Sequence, residues 1–395
     1  MSEVEEYRYL QEEVTEWRRH IHRYPELGFS VYDTAAFVAE KLASFGINHI
    51  ETGIAETGIV AVIQGEGGEG PTIGLRADMD ALPIVEASGK PWASDVPGRM
   101  HACGHDGHTA MLLGAAKHLA RTRTFKGSVA LIFQPAEEVE LPSGGFKMVR
   151  EGFLDRYDIS QVFGMHNAPG LAIGEFALRN GCLLASQDDF DITVIGKGGH
   201  AAAPHRTVDP VVIAAQIILG LQSLVSRNTD PLSSLVISVT KLSASQAYNV
   251  IADRVELAGT VRTLAAELRD FAERQIRECA EGIARAFGAE IAFSYRRSVP
   301  VTFNHTSGFE VAVEAAERLV SANAVNREAK ASMGAEDFAY MLEARPGALI
   351  NIGNGPSAPL HNAAYDFEDE AIPYGIGYWV NVVETVLSSD RNPLS

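Results

Sequence analysis

Short apolar segments that end in polar residues recur along this chain, and they restrict its fold more than any other feature. The segments are TIGLRA (72–77), SVALIFQ (128–134), ISQVFGM (159–165) and ALINIGN (348–354). Helical spacing of apolar residues lies between them, as in TAMLLGAAKHLA (109–120). Because parallel strands are connected by helical crossovers, this alternation predicts an α/β domain with a mostly parallel sheet.

A glycine-rich segment, GEGGEG (65–70), lies between the apolar runs GIVAVIQ and TIGLRA. It precedes a strand and does not open a helix, so it lacks the context of a nucleotide-binding loop. We therefore predict a hairpin turn that joins two neighbouring strands.

A different pattern occupies residues 187–299. The alternating strand DFDITVIGKG, a helix at 207–226, two strands, a long helix at 265–287 and the strand EIAFSYRR follow one another. This β-α-β-β-α-β order is that of a ferredoxin-like α+β unit with an antiparallel sheet. We therefore predict two domains, in which residues 1–186 plus 300–395 form the larger one and 187–299 are inserted into it.

The composition narrows the environment and the partners of the chain. Its net charge of −18 disfavours nucleic acid and anionic membranes, which an acidic surface repels. No run of about 18 apolar residues predicts a membrane span, and MSEVEEYRYL lacks the features of a signal peptide. Three cysteines do not form a disulfide framework, so we expect a cytoplasmic protein.

Polar residues of the types that bind metals or take part in catalysis follow each apolar strand. In open α/β sheets, ligands bind beyond the carboxyl ends of the strands, so these side chains are expected to converge. The loop MHACGHDGH (100–108) is expected to join them and to lead into the helix at 109–120, with Asp106 as its cap. The residues that follow the strands are Asp78, Asp80, Glu137, Glu138, His166 and His361.

This set of residues indicates a metal centre. Thiolate, imidazole and carboxylate are the ligands of Zn²⁺ and similar ions, and Cys103 and His105 point the same way if their loop is extended. The candidate ligands exceed the needs of one tetrahedral ion, which favours two ions. Of two adjacent glutamates, one can coordinate while the other activates water. A nucleophilic Cys103 with a histidine base is the alternative.

Eight motifs resemble, in order, the M20 metallopeptidase family. The similarity is greatest to its aminoacylase and hippurate hydrolase branch, which includes the plant auxin-amino-acid conjugate hydrolases. The family resemblance implies a catalytic domain and an inserted lid domain that also forms a homodimer. The motifs are GLRADMDALP, MHACGHDGHTAMLLGAA, LIFQPAEE, GMHN, GKGGHAAAPH, NVIADRVELAGTVRT, MGAEDFA and PLHN.

The resemblance also implies a role for each candidate residue. Glu137 would be the general base, and Asp78 and Asp80 would support the ligands. In the inserted domain, His200 would polarise the scissile carbonyl, and Asn249 and Arg262 would hold a substrate carboxylate. The metal ions would be Zn²⁺ or Mn²⁺, with Co²⁺ or Ni²⁺ as alternatives. The ligands of two divalent ions would be Cys103, His105, Glu138, His166 and His361.

The implied protein is a hydrolase of N-acyl-L-amino acids such as acetyl or benzoyl derivatives. A dipeptidase or carboxypeptidase with the same metal centre is one alternative, and a catalytically silent binding protein is another. The chain departs from the family pattern after PAEE, where VELPSGGFKMV replaces a more glycine-rich stretch. This segment follows the expected base, so it bears on acyl specificity or on metal access.

Overall fold

The structure, a computed structural model, describes residues 3–245 and 247–388. It divides into two units, each with its own hydrophobic core. The larger unit comprises the chain up to Leu183, Phe303–Lys330 and the chain from Asp337 onward. The smaller unit comprises Leu184–Thr302 and Ala331–Glu336, so it interrupts the larger one in the sequence.

The helices and strands follow one another in a mixed order. The helices are α1 (Gln11–Arg23), α2 (Tyr32–Ser44), α3 (His105–Thr122), α4 (Gly144–Arg150), α5 (Phe153–Arg156), α6 (Pro210–Ser223), α7 (Ala266–Ala286), α8 (Thr306–Leu319), α9 (Ala339–Ala344) and α10 (Ile372–Leu387). The strands are β1 (His49–Ile54), β2 (Gly58–Gln64), β3 (Thr72–Asp78), β4 (Ser128–Gln134), β5 (Ile159–Ala168), β6 (Phe176–Ala177), β7 (Gly181–Leu184), β8 (Ser186–Ile195), β9 (Gly199–His200), β10 (Leu235–Ser243), β11 (Val250–Ile251), β12 (Arg254–Thr263), β13 (Glu290–Val299), β14 (Thr302–Asn304), β15 (Val325–Asn326) and β16 (Gly347–Gly353).

An eight-stranded sheet forms the centre of the larger unit. Its strand order is β1-β2-β4-β3-β5-β16-β6-β15, and the central strands β4, β3, β5 and β16 all run parallel. Strands β3, β4 and β16 are buried almost throughout, as expected when both faces of a parallel sheet are covered. The predicted mostly parallel sheet is confirmed, and its four central strands end at one shared edge.

The predicted hairpin at residues 65–70 is wrong, because β4 lies between β2 and β3 and pairs with both. The glycine-rich segment instead crosses the chain that leads into β4. The Gly65 and Gly67 amides donate to the Gly127 and Phe125 carbonyls, at 2.9 Å each. A Cβ on Gly65 would lie 1.9 Å from the Phe125 oxygen, so close backbone approach explains the glycine there.

Helix α3 begins at His105, earlier than predicted. Gly104 precedes it with φ of 92°, and a Cβ there would meet Asn167 Oδ1 at 2.3 Å. The predicted cap is wrong, because Asp106 lies inside the first helical turn and no side chain caps the helix. His105 therefore sits on the helix and not on an extended loop. Left-handed Gly104 turns the chain between Cys103 and His105.

The smaller unit has the predicted ferredoxin-like arrangement. Its sheet has the order β10-β12-β8-β13 with antiparallel neighbours, and α6 and α7 pack on it. One helical stretch among the described residues, Pro210–Asn228, is long and apolar enough by composition to cross a membrane. Its side chains Ile213, Ile217 and Leu221 belong to the core of this unit, and one such helix is weak evidence for a membrane span.

Candidate metal centre

Six of the predicted site residues lie at the carboxyl edge of the large sheet. Cys103 and His105 stand at the start of α3, and Glu137 and Glu138 follow β4. His166 is a residue of β5 itself, because that strand continues three residues further than predicted. Among these six residues, donor atoms within 4.8 Å of one another form three overlapping groups, which are Cys103–His105–His166, Cys103–Glu138–His361 and His105–Glu137–Glu138. The structure therefore brings all six residues together.

Burial differs across this cluster. Cys103 and His105 are buried, whereas the side chain of His361 is 53% exposed. Cys103 Sγ lies 3.5 Å from His166 Nε2, and His361 Nε2 lies 3.2 Å from Glu138 Oε1. The centre is thus closed on the α3 side and open to solvent on the side of His361. An open side is what a catalytic metal centre requires for substrate.

Buried His105 and partly buried His166 have the orientation of metal ligands. His105 Nδ1 donates to the Asp80 carbonyl and His166 Nδ1 to the Asn167 carbonyl, each at 2.8 Å. Both rings therefore direct Nε2 into the cluster, and His105 Nε2 has no hydrogen-bond partner among the residues that the structure describes. A buried nitrogen without a partner is costly, and a metal ion would satisfy it. The donor set therefore fits a divalent metal.

Asp80 connects the glutamates to His105. Its two carboxylate oxygens accept hydrogen bonds from the backbone amides of Glu137 (2.9 Å) and Glu138 (3.2 Å). Its own carbonyl accepts from His105, as described above. Ala136, which precedes the glutamates, has φ of 54°, a conformation that non-glycine residues adopt only when surrounding contacts hold it. Asp80 supplies such contacts and fixes both carboxylates relative to His105.

A second buried network supports the cluster through Asp78. Asp78 hydrogen-bonds His108 at 2.6 Å and Arg76 at 2.7 Å, and His108 in turn bonds Asn167 Oδ1 at 2.7 Å. Burial alone would raise the pKa of Asp78, but His105, Arg76 and His108 hold it well below its usual value. A permanently charged Asp78 therefore anchors the ring of His108 beside the ligands.

Sequence reasoning missed the outer members of this network. Arg76 also bonds Gln134 (2.9 Å) and Asp337 (3.2 Å), and Asn167 donates to the Tyr365 hydroxyl (2.5 Å). Arg76 could have been recognised from the sequence, since a charged residue inside the apolar strand TIGLRA needs a buried partner. The contact between Asn167 and Tyr365 could not, because these residues are 198 positions apart in the chain.

The structure disfavours a nucleophilic role for Cys103. Burial raises the pKa of its thiol to about 12. Burial, together with the nearby His108, lowers the pKa of His166 to about 3, so this neighbour is a poor proton acceptor at neutral pH. A thiolate–imidazolium pair between them would be unstable, whereas a coordinating metal removes the thiol proton. The raised thiol pKa, together with the membership of Cys103 in two donor groups, therefore favours Cys103 as a ligand.

The predicted catalytic residue His200 and the predicted substrate-binding residues Asn249 and Arg262 belong to the smaller unit. His200 is in β9, which pairs with β11, and its Nδ1 accepts from the Ala202 amide at 3.0 Å. Asn249 immediately precedes β11, and its carbonyl accepts from the Ala201 amide at 3.0 Å. Both side chains are exposed. Arg262 lies half-buried in the central strand β12, and burial lowers the pKa of its guanidinium despite Asp189 and Asp188 nearby.

A buried ion-pair cluster lies under the first turn of α3. His22 Nδ1 donates to Asp106 Oδ2 at 2.8 Å, and His22 Nε2 lies 3.2 Å from Glu86 Oε1. Although burial opposes the charge, Asp106 and Glu86 raise the pKa of His22 to about 9. His22 is thus a cation at neutral pH, and it connects α1 to the helix that carries His105.

This cluster predicts that alkaline pH weakens the fold. A raised folded-state pKa stabilises the protein fully below the unfolded value of 6.5 and loses that effect as pH rises through about 9. Between pH 6 and 9.5 we expect the free energy of unfolding of the metal-free protein to fall more in the wild type than in His22→Gln. The expected difference is roughly 3 kcal/mol, because each unit of pKa shift corresponds to about 1.36 kcal/mol. Urea titrations measure this difference. The exposed His49→Gln should behave as wild type, and equal slopes in all three proteins would contradict the prediction.

The class of the protein follows from the comparison of the chain with known families and relatives. The sequence model of peptidase family M20/M25/M40 matches residues 74–385, and the chain belongs to this family. It is 40% identical over 373 residues to the N-acetylcysteine deacetylase of Bacillus subtilis, an alignment that covers 94% of this chain and 96% of the relative.

Two further relatives extend the comparison. The hippurate hydrolase of Campylobacter jejuni is 40% identical over 374 residues, which cover 94% of this chain and 96% of that protein. The crystal structure of the YXEP protein of Bacillus subtilis, a dinuclear metal-binding peptidase of the M20 family, superposes with a TM-score of 0.85 at 36% identity. The superposition covers 97% of this chain and 99% of the other. The resemblance inferred from the sequence motifs is thereby confirmed, and the chain is a hydrolase acting on amide bonds.

Proposed function

We propose that the protein is a cytoplasmic, homodimeric hydrolase that cleaves N-acyl-L-amino acids to a carboxylate and a free amino acid. The observation that carries the proposal is the set of three overlapping donor groups, in which Cys103, His105, Glu138, His166 and His361 would hold two divalent ions beside Glu137. The names of the relatives, an N-acetylcysteine deacetylase and a hippurate hydrolase, support N-acyl amino acids as the substrate class.

The residues of this chain divide the work of hydrolysis. Bound divalent ions supply Lewis acidity and lower the pKa of water. Glu137 accepts a proton from the attacking water and returns it to the leaving amine. His200 donates a hydrogen bond to the carbonyl oxygen, where negative charge develops. Asn249 and Arg262 bind the carboxylate of the amino-acid part, for which the planar fork of an arginine is suited.

The metal and the assembly complete the proposal. The mixed thiolate, imidazole and carboxylate set suits Zn²⁺ or Mn²⁺, with Co²⁺ or Ni²⁺ as alternatives. A homodimer through the smaller unit is supported by the outer edge strand β10 and by the exposed apolar side chains Val211, Val212 and Leu219 of α6. Three free cysteines and an acidic surface are consistent with the cytoplasm and with the absence of nucleic-acid or membrane partners.

A release assay tests the substrate class. The protein, loaded in turn with Zn²⁺, Mn²⁺, Co²⁺ or Ni²⁺, is incubated with N-acetyl, N-benzoyl and indole-acetyl amino acids and with dipeptides, and the released amine is measured. We expect the acyl amino acids to give the highest kcat/KM. Their C-terminal amides, which lack the carboxylate, should be at least about tenfold worse, the loss expected for one charge-assisted hydrogen bond. Faster turnover of dipeptides would identify a dipeptidase instead, and no release with any metal would indicate a binding protein.

A further inference from the structure

Arg18 is a fully buried cation that contacts carboxylates from two distant parts of the chain. It lies on α1 with no exposed surface. One guanidinium nitrogen lies 3.5 Å from Asp106 and 3.3 Å from Asp366, and the other two approach Asp369 at 2.8 Å. Burial opposes the charge of Arg18, but these three carboxylates raise its pKa above the usual value. The guanidinium thus remains charged in the interior.

The positions of its partners connect Arg18 to the metal centre. Asp106 immediately follows the ligand His105 in the first turn of α3. Asp366 and Asp369 belong to the segment between the ligand His361 and α10. A single side chain therefore joins a segment that carries Cys103 and His105 to the segment that carries His361. An arginine can do this because its planar fork presents five donors in fixed directions, whereas a lysine presents one compact charge.

The His361 segment needs such a restraint. His361 has φ of 62°, and such strain persists only where neighbouring contacts fix the backbone. Its amide donates to the Ala102 carbonyl at 2.8 Å, next to Cys103, so a small shift of α3 would also move His361. The side chain of His361 is half exposed, which leaves it little packing of its own.

We propose that Arg18 is a positioning residue for the metal centre: by binding Asp106, Asp366 and Asp369 together, it keeps the Cys103–His105 pair and His361 in the arrangement that brings their donor atoms into overlapping groups. This inference rests on the proposed metal centre. Removal of Arg18 would leave three carboxylates without their shared cation, and breaking a buried ion pair frees its partners to move or to recruit water. Metal affinity should fall as a result.

Arg19 is a matched control on the same helix. It also binds Asp369, at 2.7 Å, and its guanidinium stacks 3.6 Å from the centre of the Trp92 ring. Among the residues that the structure describes, it forms an ion pair with Asp369 but not with Asp106 or Asp366, and its side chain is partly exposed. Arg19→Met therefore removes an arginine and two hydrogen bonds to the same carboxylate without disconnecting α3 from the His361 segment.

Metal titration of the purified full-length protein tests the proposal. Zn²⁺ and Mn²⁺ are titrated against a chromophoric chelator, and bound metal is counted by elemental analysis after dialysis. We expect Arg18→Met and Arg18→Lys to bind metal at least about tenfold more weakly than wild type, with less than two equivalents retained. Arg19→Met should stay within about twofold of wild type. Melting temperatures are recorded for all variants, because a purely structural role would lower them without changing metal affinity in the folded protein.

The outcomes separate this inference from the proposed function. Wild-type protein that binds no metal would contradict the metal centre itself. Two equivalents bound with equal affinity by wild type and the Arg18 variants would overturn the positioning role alone. If the Arg18 variants do not fold, the double variant Asp366→Asn/Asp369→Asn decides, since it removes both charged connections to the His361 segment and keeps Arg18 paired with Asp106. We then expect a severalfold loss of metal affinity, and unchanged affinity would overturn the proposal.

Discussion

Replacing Glu137 with glutamine is expected to lower kcat by about 10³- to 10⁴-fold, near the upper end of what a general base contributes. Glutamine preserves the shape of the side chain and the backbone amide that Asp80 binds at 2.9 Å, so the loop should stay in place. The glutamine side chain, however, cannot accept a proton from water. Because the loop stays in place, the metal content should remain at the wild-type level, and KM should change little. Steady-state kinetics with an N-acyl amino acid and elemental analysis of the same sample measure both quantities.

Glu138→Gln is the matched control for this variant. The two glutamates are adjacent, and both amides are held by Asp80. Glu138 belongs to the donor group with Cys103 and His361, so its replacement should reduce metal content. Turnover in Glu137→Gln above a tenth of the wild-type value would place the base elsewhere, and loss of metal in that variant would reassign Glu137 as a ligand.

Replacing Cys103 with alanine is expected to remove at least one metal equivalent and nearly all activity. Cys103 Sγ belongs to two of the donor groups, one with His105 and His166 and one with Glu138 and His361. Losing it therefore weakens both sides of the centre. Elemental analysis after dialysis should show the loss, and a higher concentration of added metal should restore part of the activity. Chelation of the wild-type protein should produce the same inactive state.

Cys279→Ala provides the control for this second variant, because Cys279 is a half-buried thiol packed against the core of the smaller unit. It should keep full metal content and activity. A Cys103→Ala protein that retains two metal equivalents but has no activity would contradict the ligand assignment and support the nucleophilic alternative. The raised thiol pKa of Cys103 argues against that result.

The local pattern of the sequence predicted which segments form strands better than it predicted which strands pair with one another. The apolar runs that became β3, β4, β5 and β16 were recognisable because strands buried on both faces contain few polar residues. The pairing of β2 with β4 was not recognisable, since the residues that pair are about 70 apart and each run fits several partners. The hairpin prediction failed for this reason. Glycines that permit a close crossing have the same composition as glycines in a turn.

The candidate site was predictable to the extent that its residues follow strands. Cys103, Glu137 and His361 were found because the ends of parallel strands share an edge. The prediction of Asp106 as a helix cap was wrong. A short polar residue before a helix usually caps it, whereas the side chain of Asp106 is buried and bonds His22 and Arg18. These contacts join residues that are 84 and 88 positions apart, so they depend on how α1 packs against α3. No local pattern contains that information.

The position of β16 in the chain has a consequence for the order in which the protein matures. This strand pairs with β5 in the middle of the large sheet, yet it is synthesised only after the whole smaller unit. His361 follows it by eight residues. During translation the smaller unit can therefore complete its own core while the larger sheet still lacks a central strand. With His361 as a proposed ligand, metal loading would be a late step of biosynthesis, and a chain truncated before residue 361 would lack one member of the donor groups.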